Sequence, residues 1–254
     1  MDISIPIGSV LKAINFKRSK KSLIWLRNAY WHKTQRVVIY GVTGVGKTEF
    51  LHTVLGRDFS DEQRTQDLIE YDFRLPDGHK IVFIDSPGHP SMRDLRDRLL
   101  EDYSQHKIQG IINVVCHGYH STPDTPLDDV FQAGTVHVKE EYLRENRKTE
   151  LNQIYEWERF VRAHTQVKWF MTIVNKADIW YDNFEEVDNY YRDTNGDYYN
   201  AVQGIGRCCE THTYHFCSIM KPFMQRFRSA QYSEVNKKRM YQELIAQLQR
   251  LASK

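Results

Sequence analysis

Short apolar runs alternate along this chain with stretches of helical periodicity. Val37-Val38-Ile39-Tyr40 is β-branched, brief and closed by Gly41, which predicts a buried parallel strand. A glycine-rich turn follows, and Thr48–Leu55 has helical character. Leu68–Leu75 alternates loosely, Pro76-Asp77-Gly78 supplies a turn, and Lys80–Ile84 returns as a strand, so a hairpin is expected. Ile108–Val115, Trp169–Val174 and Tyr214–Ile219 are the remaining predicted strands. Leu151, Ile154, Trp157 and Val161 form one helical stripe. Tyr241, Leu244, Ile245, Leu248, Leu251 and Ala252 form another at the end of the chain. Asp182 with Glu185 reads as a capping box opening a helix after the fifth strand.

Strands alternating with helices predict an α/β fold, an open and mostly parallel sheet with helices on both faces. A chain of 254 residues, 41% hydrophobic and 27% charged, can bury such a core without disulfides or a structural metal. The four cysteines make no secreted framework, no signal-peptide run opens the chain, and no stretch nears the ~18 apolar residues of a membrane span. A cytoplasmic protein with reduced thiols is expected. The net charge of +2 hides an asymmetry. Residues 1–36 carry eight Lys and Arg against Asp2 alone, a net of +7, so the remainder stands at −5.

Chemistry concentrates in three places. Gly41-Val42-Thr43-Gly44-Val45-Gly46-Lys47-Thr48 satisfies G-x-x-x-x-G-K-[ST] between a strand and a helix, where the mechanism requires it. Glycines let consecutive N–H groups turn inward around phosphate oxygens, and the helix dipole adds favourable charge. Lys47 would reach the β- and γ-phosphates, and the Thr48 hydroxyl would bind Mg²⁺. Asp85-Ser86-Pro87-Gly88 follows a strand, placing Asp85 for the same cation and the Gly88 N–H for the γ-phosphate. Asn175-Lys176-Ala177-Asp178 follows another strand. A carboxylate at Asp178 accepts from both N1–H and the 2-amino group of guanine, a donor pair that adenine lacks.

These motifs, in this order and each after a strand, resemble the Ras-like and translation-factor branch of P-loop GTPases, the TRAFAC class. The resemblance covers residues 36–254 and implies a Ras-like G domain with one antiparallel edge strand. It implies that Gly41, Thr43, Gly44, Val45, Gly46, Lys47, Thr48 and Glu49 surround the phosphates. It further implies that Asn175 tethers the phosphate loop, Lys176 lies over the base and Asp178 reads guanine. Cys217-Ser218-Ile219 is a looser match to a fifth element, in which Ser218 and Ile219 would support the base. The first switch should supply a threonine for Mg²⁺; Thr65, 17 residues after Thr48, fits better than Ser60 or Thr53. His89 follows the D-x-x-G motif where Ras-like members carry glutamine and translation factors carry histidine, so it would orient the attacking water. A solvent-exposed loop histidine is the other reading.

Two departures point to slow turnover that awaits a partner. Thr43 is β-branched where the Ras-like branch has glycine, and Gly44 stands where potassium-activated relatives carry asparagine. The interval from Asp85 to Asn175 is 90 residues, roughly thirty more than in compact relatives, with the excess placed at 117–146. That segment is read as either a partner-contacting loop or a passive excursion. Residues 1–35 are read as a basic amphipathic extension to a G domain at 36–254. Its cations over 10–36 suit an anionic membrane, RNA, or simple packing on the domain.

Weaker patterns yield to plainer readings. Cys208, Cys209, His212, His215 and Cys217 do not match a closed zinc framework. Asp193, Asn195 and Asp197 imitate a calcium loop but read better as a turn. Trp180, Tyr181, Phe184, Tyr190, Tyr191, Tyr198 and Tyr199 suit helix-to-sheet packing better than a docking surface. Three functions are therefore expected in order: a GTPase switch acting on a protein effector, a hydrolysis-deficient GTP-binding module, and a ribosome- or RNA-associated GTPase.

Overall fold

The computed structural model describes residues 34–56, 69–86, 108–121, 125–135, 137–216, 229 and 231–254. Of the basic extension read at 1–35, residues 1–33 lie outside them, and Gln35 already belongs to the first strand.

Six strands form one sheet: β1 (Gln35–Tyr40), β2 (Ile69–Arg74), β3 (Lys80–Asp85), β4 (Ile108–Val115), β5 (Trp169–Val174) and β6 (Glu210–His215). Their spatial order is β2-β3-β1-β4-β5-β6, with every pairing parallel except β2 against β3. The β2–β3 hairpin turns at 76–78, where Gly78 N–H donates to Leu75 O at 2.9 Å. β1 lies between β3 and β4, with β4, β5 and β6 following outward on one side and β3 then β2 on the other, so the strand order reverses at β1. Ligands in open α/β sheets bind at the carboxyl ends beside such a point.

Helices α1 (Lys47–Leu55), α3 (Glu140–Ala163), α5 (Phe184–Arg192), α6 (Asp197–Gly206) and α7 (Glu234–Ala252) accompany the sheet, with single turns at α2 (Leu127–Val130) and α4 (Ala177–Trp180). Alternation along β1 divides the core. Val37 and Ile39 face Phe50, Leu51, Leu244 and Leu248 of α1 and α7. Val38 and Tyr40 face Ile154, Trp157, Tyr198 and Ile205 of α3 and α6. Strands buried on both faces are near-continuously apolar, which is why β1, β4 and β5 are legible in the sequence.

Three expectations change. The last strand runs Glu210–His215, four residues earlier than the apolar density suggests. It is an edge strand, half-buried throughout, so polar Thr211, Thr213 and His212 are tolerated and no hydrophobic run announces it. The capping box at Asp182 does not form. Helix α5 has Asn183 as its N-cap, with no side-chain cap. Asp182 instead accepts from Ser229 Oγ at 2.5 Å and Gln231 N–H at 2.9 Å, long-range partners that outcompete the local cap. The capping box lies at Ser233 and Asn236, opening α7. Finally, residues 140–146 of the supposed excursion are the first turns of α3.

The aromatic residues after β5 pack inward. Trp180, Tyr191 and Tyr198 are buried, and Tyr181, Phe184 and Tyr190 pack against the same core. At 193–196 a turn joins α5 to α6, with Gly196 N–H on Asp193 O at 2.8 Å and Asn195 N–H on Asp193 Oδ1 at 3.0 Å. His212 and His215 leave β6 in different directions, one against Arg250 of α7 and the other against Trp180 and Phe184.

Candidate nucleotide-binding site

The carboxyl ends of β1, β3 and β5 bring the three motifs together. Parallel pairing sets Ile39 beside Asp85, so the loop leaving β1 starts next to the end of β3. Ser86 Oγ donates to Ile39 O at 2.8 Å and fixes the two exits. Helix α1 begins at Lys47 immediately after the loop, directing its N-terminal N–H groups into the same space.

Lys47 is buried, and its ammonium donates to Gly41 O at 2.9 Å and Val42 O at 3.3 Å. The side chain thus lies folded over the loop that it follows. Thr48 Oγ1 donates to Asp85 Oδ2 at 3.3 Å, although 37 residues separate them. Two oxygen ligands from different elements, one of them a fully buried carboxylate, fit a hard divalent cation such as Mg²⁺. Glu49 stands in the first turn of α1, where a carboxylate complements the helix dipole. Thr53 lies inside α1 and bonds back to Glu49 O at 2.8 Å, which occupies it structurally.

The base corner comes from β5 and α4. Asn175 is fully buried, and its Nδ2 donates to Val45 O at 3.0 Å and Gly46 O at 3.4 Å, clasping the loop across 130 residues of sequence. Lys176 adopts φ +60°, a strained value for a residue with a side chain. Its ammonium donates to Gly44 O and to Tyr119 O, each at 2.7 Å. Asp178 is buried in the first turn of α4, and its carbonyl accepts from Ser229 N–H at 2.6 Å. Trp180 Nε1 donates to Asn175 O at 2.7 Å and pins the corner from below.

A third wall was not foreseen. Ser121, in the segment after β4, lies against the phosphate loop, so a Cβ on Gly44 would sit 2.2 Å from its carbonyl oxygen. Glycine is therefore required at 44 for close approach as well as for its φ of +82°. His120 is held neutral, its pKa pushed down to about 4 by burial and then by the charge of Lys176. Its 4.0 Å approach to Glu150 is consequently no ion pair at neutral pH. Burial, with Arg147 adding to it, pushes His117 down to about 3.

Of the sequence-predicted residues, Gly41, Thr43, Gly44, Val45, Gly46, Lys47, Thr48, Glu49, Asp85, Asn175, Lys176 and Asp178 fall within these loops and helix starts. Thr65, Gly88, His89, Ser218 and Ile219 lie outside the described residues, as do the competitor Ser60 and Cys217.

Residues 36–176, more than half of the chain, match the family model described as 50S ribosome-binding GTPase. The chain belongs to that GTPase family. No curated protein sequence matches this GTPase. Among solved structures it is similar to the mammalian SRP receptor, at 16% identity and a TM-score of 0.47, covering 72% of this chain and 91% of the other. It is also similar to the Arl6 small GTPase of Trypanosoma brucei bound to GppNp, at 14% identity and a TM-score of 0.46, covering 85% and 99%. By the family model this GTPase is a GTP-binding protein built on a G domain, and among the described residues no helix is long and apolar enough to cross a membrane.

Proposed function

We propose that the protein is a regulatory switch that binds GTP, hydrolyses it slowly, and acts on a protein effector in the GTP state. The observation that carries this reading is the closure of the 175–178 corner on the phosphate loop, through Asn175 to Val45 and Lys176 to Gly44. That closure ties a guanine-reading carboxylate, Asp178, to a phosphate cradle at one fixed spacing. Thr48, Thr65 and Asp85 would hold a Mg²⁺, which when bound neutralises charge on the β- and γ-phosphates. Lys47 would supply the side-chain countercharge, the Gly88 N–H would serve the γ-phosphate, and Ser218 and Ile219 would support the base.

His89 orients the attacking water, so its effect falls on the transition state and not on binding. His89→Ala should leave GTP affinity within a few-fold and lower turnover by about 10²–10⁴-fold. Single-turnover hydrolysis is to be compared for both proteins, alone and with purified ribosomes or anionic vesicles. Loss of rate without loss of affinity supports the switch. A wild type that binds GTP yet never hydrolyses it leaves the binding-module reading.

A second reading has its own support. The +7 charge on residues 1–36 and the family description both favour a ribosomal or RNA partner. In that case ribosomes, and not lipid, stimulate hydrolysis, and the stimulation fades as salt rises.

A further inference from the structure

Helix α3 carries one residue that its surface chemistry does not explain. Leu143, Glu150, Ile154, Trp157 and Val161 are its buried positions, and Glu150 among them is fully buried. A carboxylate in an apolar stripe must be satisfied, or it destabilises the fold by several kcal/mol. Glu150 is satisfied by backbone. Its Oε1 accepts from Cys116 N–H at 3.0 Å and Gly118 N–H at 3.1 Å, and its Oε2 accepts from Tyr191 OH at 3.1 Å. Burial raises its pKa, and those three donors act in the opposite direction.

The backbone it holds is a strained turn. His117 and Gly118 have φ of +55° and +82°, and Tyr119 N–H donates to Cys116 O at 3.0 Å. A histidine at positive φ persists only where its surroundings impose it. They do so from several sides. Tyr191 OH accepts from His117 N–H at 2.9 Å. Asn146 Nδ2 donates to Gly118 O at 2.7 Å and His120 O at 3.1 Å, and Tyr142 OH donates to His120 O at 2.6 Å. A Cβ on Gly118 would lie 2.4 Å from Leu143 O, so the turn is pressed directly onto α3.

This turn aims the Tyr119 carbonyl at Lys176 Nζ and carries Ser121 against Gly44. Lys176 then reaches Gly44 O. We propose that Glu150 is a positioning residue for guanine-nucleotide retention: it locks the 116–119 turn, whose Tyr119 carbonyl holds Lys176 over the phosphate loop. The proposal rests on the nucleotide site argued above. It assigns α3 a part in holding the nucleotide although none of its residues belongs to the three motifs.

The test follows the release of a fluorescent N-methylanthraniloyl GDP from the full chain in excess Mg²⁺ and unlabelled GDP. Glu150→Ala strands two buried N–H groups and should speed release by about 10-fold to 100-fold. Glu150→Gln keeps an acceptor for both N–H groups and should stay within about three-fold of wild type. Lys176→Met speeds release by itself, and adding Glu150→Ala to it should cost much less than Glu150→Ala costs alone, because both act through one contact. Should Glu150→Ala not fold, Asn146→Ala, at a half-buried position, loosens the same turn. It should speed release by about three- to ten-fold with the same overlap with Lys176→Met. Wild-type release from folded Glu150→Ala and from Asn146→Ala would overturn the proposal. So would effects that multiply with Lys176→Met, or a Glu150→Gln as damaging as the alanine. A wild type that retains no guanine nucleotide would overturn the nucleotide site as well, which separates the two failures.

Discussion

Gly41–Thr48 and Asn175–Asp178 meet at the carboxyl ends of the strands but are held by different means. The phosphate loop is secured partly by its sequence neighbours: Lys47 bonds back to Gly41 and Val42, and α1 continues from Gly46 without a break. The base corner is secured from far away. Asn175 reaches the phosphate loop, Lys176 is shared between that loop and Tyr119, Asp178 is anchored through Ser229, and Trp180 closes the underside. A local cradle supplies charge and N–H donors. A corner assembled from distant elements supplies position, and position is what distinguishes one base from another. Damage to the first should therefore abolish binding of any nucleoside triphosphate. Damage to the second should change which one is bound, or how long it stays.

The largest effect is expected at Lys47. Lys47→Ala removes a buried countercharge, a change typically worth ~3–5 kcal/mol, and should weaken GTP and any other nucleoside triphosphate by about 10²–10⁴-fold. Isothermal titration with Mg²⁺ present checks this; wild-type affinity would place the phosphates elsewhere.

Asp178→Asn comes next and separates the two regions directly. Two charge-assisted hydrogen bonds to guanine are lost, so GTP should weaken by about 10²-fold. Xanthosine triphosphate should gain affinity, because the amide donates to the oxygen that replaces the 2-amino group. Competition binding with both nucleotides measures the exchange of preference. A variant that weakens for both bases alike would mean that this carboxylate positions the corner and does not read the base.

The smallest effect concerns the Trp180 indole N–H, which acts on the corner through Asn175. Trp180→Phe keeps the buried ring and deletes one N–H···O bond, worth about 1 kcal/mol, so GDP release should quicken by roughly five-fold. Stopped-flow release of a fluorescent GDP reads it. No change would show that Asn175 is held sufficiently by Val45 and Gly46.

The two regions also differed in how far they could be anticipated. Gly41–Thr48 was legible as a contiguous spacing in which each residue type has a mechanical reason to be there. Asn175–Asp178 was legible as a motif, yet its supports were not. Trp180 reads from the sequence as packing in preference to docking, and its indole N–H has a further task. Glu150 was invisible because an acid in a charged helix such as Glu140–Ala163 reads as solvent-facing. One clue was available: Leu143, Glu150, Ile154, Trp157 and Val161 are spaced for a single face, and Glu150 interrupts it. The displaced last strand has the same origin, since a half-buried edge does not need the apolar run that identifies a central strand.

The sequence by itself determined the fold class, the G-x-x-x-x-G-K-T and D-x-x-G spacings that carry Thr48 and Asp85, and the N-K-x-D spacing at 175–178. These depend on local backbone geometry, on strand burial, or on a few residues at fixed spacing. Only the tertiary structure decided that a buried carboxylate on α3 supports the turn after β4, and that this turn reaches Lys176 and Gly44. Such contacts join residues 32 to 132 positions apart, and their partners are mostly backbone N–H and C=O groups. Every residue except proline carries both groups, so nothing in the order of side chains marks which ones will be used.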